Sequence, residues 1–335
     1  MRSREQAALV VLAVGLLAAL PLLLSSYLLF QVSLALTFAM AILGLNLLLG
    51  YGGQVCIAQG AFFACGAYTT AILASTYDIN PLLTLPAAAL LTSLVGVAIG
   101  LPALRLPGLQ LAVVTFGIAA VVPQLLLKLD WLTGGVAGIG IDPLEKPVWF
   151  FGSEETWLYY LCAAGACLCA AVMARLVHGD SGRALRALRD NASIAASLGI
   201  DLIKTRLTVF AISSAFAGLG GGFYAILNAY VSPQAFLATR SIDILVGSIL
   251  GGVSSVIGAF IGAVFVLFVP DWASEINPAL GGLIYGLCLI GMILIARDGL
   301  VGLVARTVRR LLTALSNKET QPLPVQRPAQ GGEHS

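Results

Sequence analysis

Eight stretches of this chain stay apolar for the length of a bilayer crossing: 7–25, 27–49, 56–76, 82–101, 106–127, 157–177, 207–229 and 279–296. A helix needs about 20 such residues to cross the hydrocarbon core. In lipid every backbone N–H and C=O must pair within the structure, and long apolar runs achieve that as helices. The fold class is therefore an all-α polytopic membrane protein. Composition agrees: 59% of residues are hydrophobic, 10% are charged, and mean hydropathy is +0.96. Water cannot solvate most of such a surface. A ninth stretch, 241–270, is longer and is interrupted by Gly251-Gly252 and Gly258. It reads as one long helix, two short ones or a re-entrant pair.

Positive charge orients the runs. With Arg2 and Arg4 on the cytoplasmic side, alternation also places Arg105 and the 175–206 connection there. If 241–270 returns to its starting side, the 297–327 tail joins them, and 15 of the 18 Lys and Arg lie inside. Lys128, Lys146 and Arg240 are left outside. The stretch 241–270 then counts as a broken or re-entrant pair beside eight simple spans, about ten crossings in all, with both termini cytoplasmic. The first run has a basic start but no A-x-A-like site, and another span follows at once, so it is expected to be retained. Residues 1–315 form one transmembrane domain. The connection 128–156, with its acids and with Trp149 and Trp157, forms an outer cap. The polar, Pro- and Gln-rich tail 316–335 is expected to be disordered and cytoplasmic.

Much chemistry is excluded. None of the four lysines follows a glycine, so there is no phosphate-binding loop, and the chain alone is not expected to hydrolyse ATP. There is no HExxH, no G-x-S-x-G and no metal-ligand spacing; the histidines are only His178 and His334. Six cysteines fall in apolar runs and read as small packing residues. No nucleic-acid partner is implied. Asp243 stands at the edge of a run, so no acid marks proton or sodium coupling. The chain instead offers 37 glycines, clustered in GYGGQ (50–54), GAFFACGAY (60–68), AGLGGG (217–222) and 247–262. Such clusters permit close helix crossings or breaks that line a pathway. GYGGQVCIAQGAFF (50–63) and LGGVSSVIGAF (250–260) echo one another, each running from a glycine pair to Gly-Ala-Phe.

The connection 179–206 is long, basic and patterned. Arg183, Arg186 and Arg189 recur every three residues, and Leu185 and Leu188 share the opposite stripe of a short amphipathic helix. Asp190-Asn191 supplies a turn. Ser193 is placed to cap a second short helix carrying Ala195, Ala196 and Leu198, and Gly199 suits a left-handed exit. The apolar residues are expected to dock on another protein, or else to lie on anionic lipid.

Six motifs in register, GYGGQ…GAFFACGAYT, LTGGVAGI, GRALRALRDN…ASLGI, FAGLGGGFYA, LGGVSSVIGAFIGA and DGLVGL, resemble the permease subunit of branched-chain amino acid ABC importers, the LivM-like branch, over roughly residues 30–305. The resemblance implies a bacterial inner-membrane subunit working with a sister permease, two cytoplasmic ATPase subunits that bind the ATP, and a periplasmic substrate-binding protein. It implies that 179–206 is the ATPase-coupling loop, carried by Arg183, Arg186, Arg189, Asp190 and Gly199, more loosely by Ala195 and Ala196. Closure of the ATPases would tilt the bundle through this loop. Three departures stand out: Ala192 or Ser193 replaces a frequent acid, Val136 a frequent proline and Cys56 a usual serine. For the translocation pathway the candidates are Asn46, Gly53, Gln54, Gln59 and Thr115, mostly uncharged hydrogen-bonding groups in or beside spans. Family members carry leucine-like amino acids, other amino acids, or short amides and urea. An ion-coupled secondary transporter is the alternative class, and it would need a coupling acid within a span.

Overall fold

The computed structural model describes residues 20–21, 24–103, 108–148, 150, 152–276, 280–295 and 299–302. The expected retention of the first run, Arg105, Trp149 and the 316–335 tail fall outside the described residues. The helices are α1 (Ser26–Leu45), α2 (Gln59–Tyr77), α3 (Pro81–Ala103), α4 (Leu109–Lys128), α5 (Glu154–His178), α6 (Asp180–Asp190), α7 (Ala192–Ser197), α8 (Leu202–Asn228), α9 (Ala238–Gly251), α10 (Val256–Ile276) and α11 (Gly281–Ile295). Among the described residues six helices are long and apolar enough to cross a membrane: Ser26–Tyr51, Pro81–Pro102, Leu109–Lys128, Glu154–His178, Leu202–Asn228 and Val256–Glu275. The sequence expectation of about ten crossings thus meets six helices of full length, with α2, α9 and α11 shorter or less apolar.

The bundle is built around α8, and its glycines explain why. A Cβ on Gly66 of α2 would overlap the Gly218 carbonyl, one on Gly220 would crowd the Thr37 carbonyl of α1, and one on Gly218 would strike the Thr92 hydroxyl of α3. Close backbone approach replaces side-chain bulk where lipid gives no hydrophobic drive between helices. The AGLGGG and GAFFACGAY clusters therefore pack helices rather than line a channel. Gly44 meets Ser213 while Thr37 meets Gly220, so α1 runs antiparallel to α8. Gln59 meets Ser213 and Gly66 meets Gly218, so α2 runs parallel to it. Phe38, Phe63, Tyr224 and Phe236 interlock at centroid separations of 5.4–6.1 Å and fill the space between these helices.

Two spans are interrupted, at the two echoed motifs. The first passes from α1 into a π-helix, Asn46–Tyr51, then into an irregular stretch before α2 begins at Gln59. Cys56 and Ala58 of that stretch are buried in protein, as non-helical backbone at membrane depth requires, while Gly53 stays exposed. The second is 241–270, which resolves into two helices. α9 has 14 residues, roughly 21 Å of rise, short of a full crossing. It turns at Gly252–Ser255 and packs antiparallel on α10, Gly247 against Gly262 and Gly251 against Gly258. The two interruptions touch: Gly50 lies against the Val253 carbonyl, and Tyr51 Oη donates to the Ser254 carbonyl at 2.6 Å.

At the opposite end of α8, strand β1 (Ile139–Gly140) of the 128–156 connection pairs antiparallel with β2 (Tyr230–Val231). A 3-10 turn, Pro233–Phe236, then carries the chain back among the aromatic rings before α9 starts. This return corrects the placing of Arg240 in an outer connection and of Asp243 at a span's edge. Arg240 Cζ lies 5.2 Å above the ring of Phe38, midway along the 26-residue span Ser26–Tyr51.

Candidate functional site

The 179–206 connection is an elbow of two short helices. Gly179 alone separates α5 from α6, and the bend is so tight that a Cβ on Gly182 would overlap the Val177 carbonyl. Asn191 caps α7, its Oδ1 accepting from Ser193 N at 3.0 Å and Ile194 N at 3.2 Å. Asn191 thus does the work expected of Ser193, because its shorter reach to two successive amides closes the turn after Asp190. Gly199 leaves α7 at φ +83, its N–H donating to the Ala196 carbonyl and that of Ile200 to the Ala195 carbonyl. Asp201 Oδ1 then accepts from Lys204 N at 3.0 Å and starts α8. That backbone N–H, with the Lys204 ammonium, holds the exposed Asp201 carboxyl below the usual carboxylate range.

The expectation that Leu185 and Leu188 await a partner is corrected. Leu185 is 2% exposed and Leu188 3%, and Leu185 belongs to this chain's own core. Amphipathicity fixes that a stripe is buried, not by which chain. The apolar surface presented outward belongs to α7 and its exit: Ile194 is 58% exposed and Leu198 71%. Ala195 is buried, whereas Ala196 is exposed. Of the arginines, Arg183 pairs with Asp180 in the first turn of α6, and Arg186 and the neighbouring Asp190 are exposed. Arg189 turns back: its Nη1 donates to the Gly50 carbonyl, and its stem packs over Gly53, which stands at φ +65. A cavity of about 360 Å³ lies under the elbow, bounded by Leu47, Leu176, Ser181, Leu185, Lys204 and Thr208.

Three of the five pathway candidates are buried and held by hydrogen bonds within the chain. Asn46 is a clamp on the turn between α9 and α10: Nδ2 donates to the carbonyls of Ser255 (3.0 Å) and Gly252 (3.4 Å), and Oδ1 accepts from Ser248 Oγ at 2.6 Å. Thr115 Oγ1 accepts from Ile57 N at 3.0 Å and so ties the irregular stretch to α4. Gln59 Nε2 donates to Ser213 Oγ at 2.6 Å, while its buried Oε1 has no partner among the described residues. Gln54 is half-buried and Gly53 exposed, both next to Arg189's landing point. In this conformation Asn46, Gln59 and Thr115 brace the interruption rather than face an opening.

Sequence reasoning missed a further feature. Arg240 and Asp243 lie one turn apart on α9, Nη1 to Oδ2 3.9 Å, with side chains 33% and 30% exposed. Arg240 Nε donates to the Ala235 carbonyl at 3.2 Å. Ser241, between them, accepts from Gly60 N at 3.0 Å, beside the Gln59–Ser213 contact near the middle of α8. The i,i+3 spacing of opposite charges opening an apolar run was the available signal.

Residues 27–296 match the family described as branched-chain amino acid transport system, permease component. The chain is 33% identical over 276 residues to the LivM permease protein of the high-affinity branched-chain amino acid transport system in Salmonella typhimurium, and equally to that of Escherichia coli, covering 75% of this chain in each case. The match spans 64% of the length of those relatives. A probable branched-chain amino acid transport permease protein LivH of Methanocaldococcus jannaschii is 28% identical over 76% of this chain and 85% of its own length. No solved structure is a significant match. A bundle of glycine-packed helices with two interrupted spans, matched over residues 27–296, makes this chain a multi-pass membrane protein of the branched-chain amino acid transport permease family.

Proposed function

We propose that the chain is the membrane-spanning permease subunit of an ATP-binding cassette importer, forming with a sister permease the pathway for branched-chain amino acids. The single observation that carries this reading is the match of residues 27–296 to the branched-chain amino acid transport permease family, in a chain whose elbow turns Ile194 and Leu198 outward. Residues 179–206 are the cytoplasmic coupling loop and 128–156 the outer cap, in a bacterial inner membrane. One of the two ATPase subunits takes the outward apolar face of Ile194 and Leu198, and the other serves the sister permease; a few such anchors dominate an interface. Arg183, Arg186 and Asp190, exposed around it, steer and orient the partner. Movement of the docked ATPase reaches Gly50 and Gly53 through Arg189, then the turn at 252–255 through Tyr51 and Asn46. Gly53 and Gln54 are the pathway candidates that stay accessible; Asn46, Gln59 and Thr115 support them.

The ion-coupled alternative needs an acid free to take a cation. Asp243 lies within the bundle, but the positive charge of Arg240, 3.9 Å away, opposes a bare cation there. The test is reconstitution of this chain with its sister permease and two ATPase subunits in proteoliposomes, with leucine-loaded binding protein outside. ATP-dependent leucine accumulation is expected. Accumulation driven by a proton or sodium gradient without ATP sinks the reading.

A further inference from the structure

A charged pair in the middle of a membrane bundle costs several kcal/mol unless it meets charge or water, so its place needs a reason. Arg240 lies over Phe38, midway along its span, and Ser241 is hydrogen-bonded to Gly60 beside the Gln59–Ser213 contact. Thr239 and Ile242, which alternate with the pair on α9, are exposed. The pair itself is loose at 3.9 Å and about a third open, unlike a closed structural bridge. The buried hydroxyl of Tyr285, on α11, has no partner among the described residues. Two opposite charges on lipid would be expelled or neutralised. The open face of α9 therefore turns away from lipid, toward water or the sister permease with which it forms the pathway.

The geometry points to Arg240 and Asp243 as a zwitterion relay in the translocation pathway, the guanidinium receiving the α-carboxylate of a passing amino acid and the carboxylate its α-ammonium. The inference rests on the amino-acid importer reading above. The solute replaces the contact between the two side chains with one contact to each, so both charges stay compensated during transit and neither leaves bare. Arg240 stands in the first turn of α9, where the helix's own N–H groups favour an anion. The separation of 3.9 Å opens without breaking a tight pair, which suits brief binding rather than storage.

The test uses the complete complex in proteoliposomes. Arg240→Gln, Asp243→Asn and the double variant are compared for leucine uptake and for amount of assembled complex. A structural ion pair predicts that the neutral double variant recovers, because no orphan charge remains. A relay predicts at least tenfold loss of uptake in all three, the double variant no better than the singles at equal assembly. A double variant that transports at the wild-type rate overturns the proposal. The second arm places single cysteines at Thr239 and Ile242 in a chain lacking the native six. Both are expected to react with a charged, water-soluble methanethiosulfonate. Reaction only with a lipid-soluble maleimide overturns the proposal, whatever solute is carried. Failure of the wild-type complex to move leucine, with both cysteines water-accessible, counts against the substrate and not against the relay's place.

Discussion

Arg189 donates from Nη1 to the carbonyl of Gly50, across 139 positions of sequence, and its stem lies over Gly53. The elbow and the interrupted span are thereby in direct contact. Gly53 stands at φ +65, and a Cβ there would come within 2.9 Å of Arg189 Cγ. Gly53→Ala is expected to add about 1–2 kcal/mol of backbone strain and to push Arg189 off its acceptor. Uptake in reconstituted complexes should fall several-fold with assembly intact.

Leu188 is buried within this chain, whereas Leu198 is 71% exposed. Leu188→Asp should destabilise the permease itself by several kcal/mol, because the charge enters an apolar site with no partner. Leu198→Asp should leave the permease's melting temperature in detergent unchanged and abolish co-purification of the ATPase subunits. Equal melting temperatures for the two variants would contradict the assignment of the faces.

Asn46 holds the turn at 252–255 with donors and an acceptor together. Asn46→Asp keeps the shape but removes the donors and brings a negative charge to two carbonyls. It is expected to cost more than Asn46→Ala, itself on the order of 1–3 kcal/mol for unpaired buried groups. Protease accessibility of the 252–255 turn is the measurement, and a pathway-lining asparagine would show no such increase.

Much of this architecture is legible in the sequence, because an apolar run of membrane length admits few other folds. The interruptions at Gly50–Gly53 and Gly251-Gly252 were marked by glycine pairs, and the left-handed exit at Gly199 by its place after a short helix. Amphipathicity could not say that Leu185 and Leu188 bury against their own chain, since a stripe carries no label for its partner. Asn46 reads as a free polar group until Ser248 and Ser255, over 200 positions away, are brought beside it. From sequence Arg240 reads as an outer charge and Asp243 as a span-edge one, because charge normally ends a crossing, and only the return of 229–237 into the bundle carries them inward.

Gly199 offers a graded test of the elbow's exit. At φ +83 with open space around its Cα, steric overlap plays no part, so backbone conformation alone decides. Gly199→Asn should be tolerated, since asparagine enters this region readily, whereas Gly199→Val should cost about 1–3 kcal/mol and re-aim α7. The Val variant is expected to keep its ATPase subunits at reduced affinity, read by titration of the purified permease with them. Equal affinities for Asn and Val would contradict the role of the exit.

The proposed coupling runs through Arg189, the link between the elbow and the interrupted span. Its most direct test is the ratio of leucine molecules taken up to ATP hydrolysed in proteoliposomes carrying Arg189→Ala, driven by loaded binding protein. Arg189→Ala leaves the outward face of Ile194 and Leu198 untouched, so the ATPase subunits should stay bound and hydrolysis continue while uptake per ATP falls at least tenfold. An unchanged ratio, with hydrolysis and uptake both at wild-type rates, would contradict it.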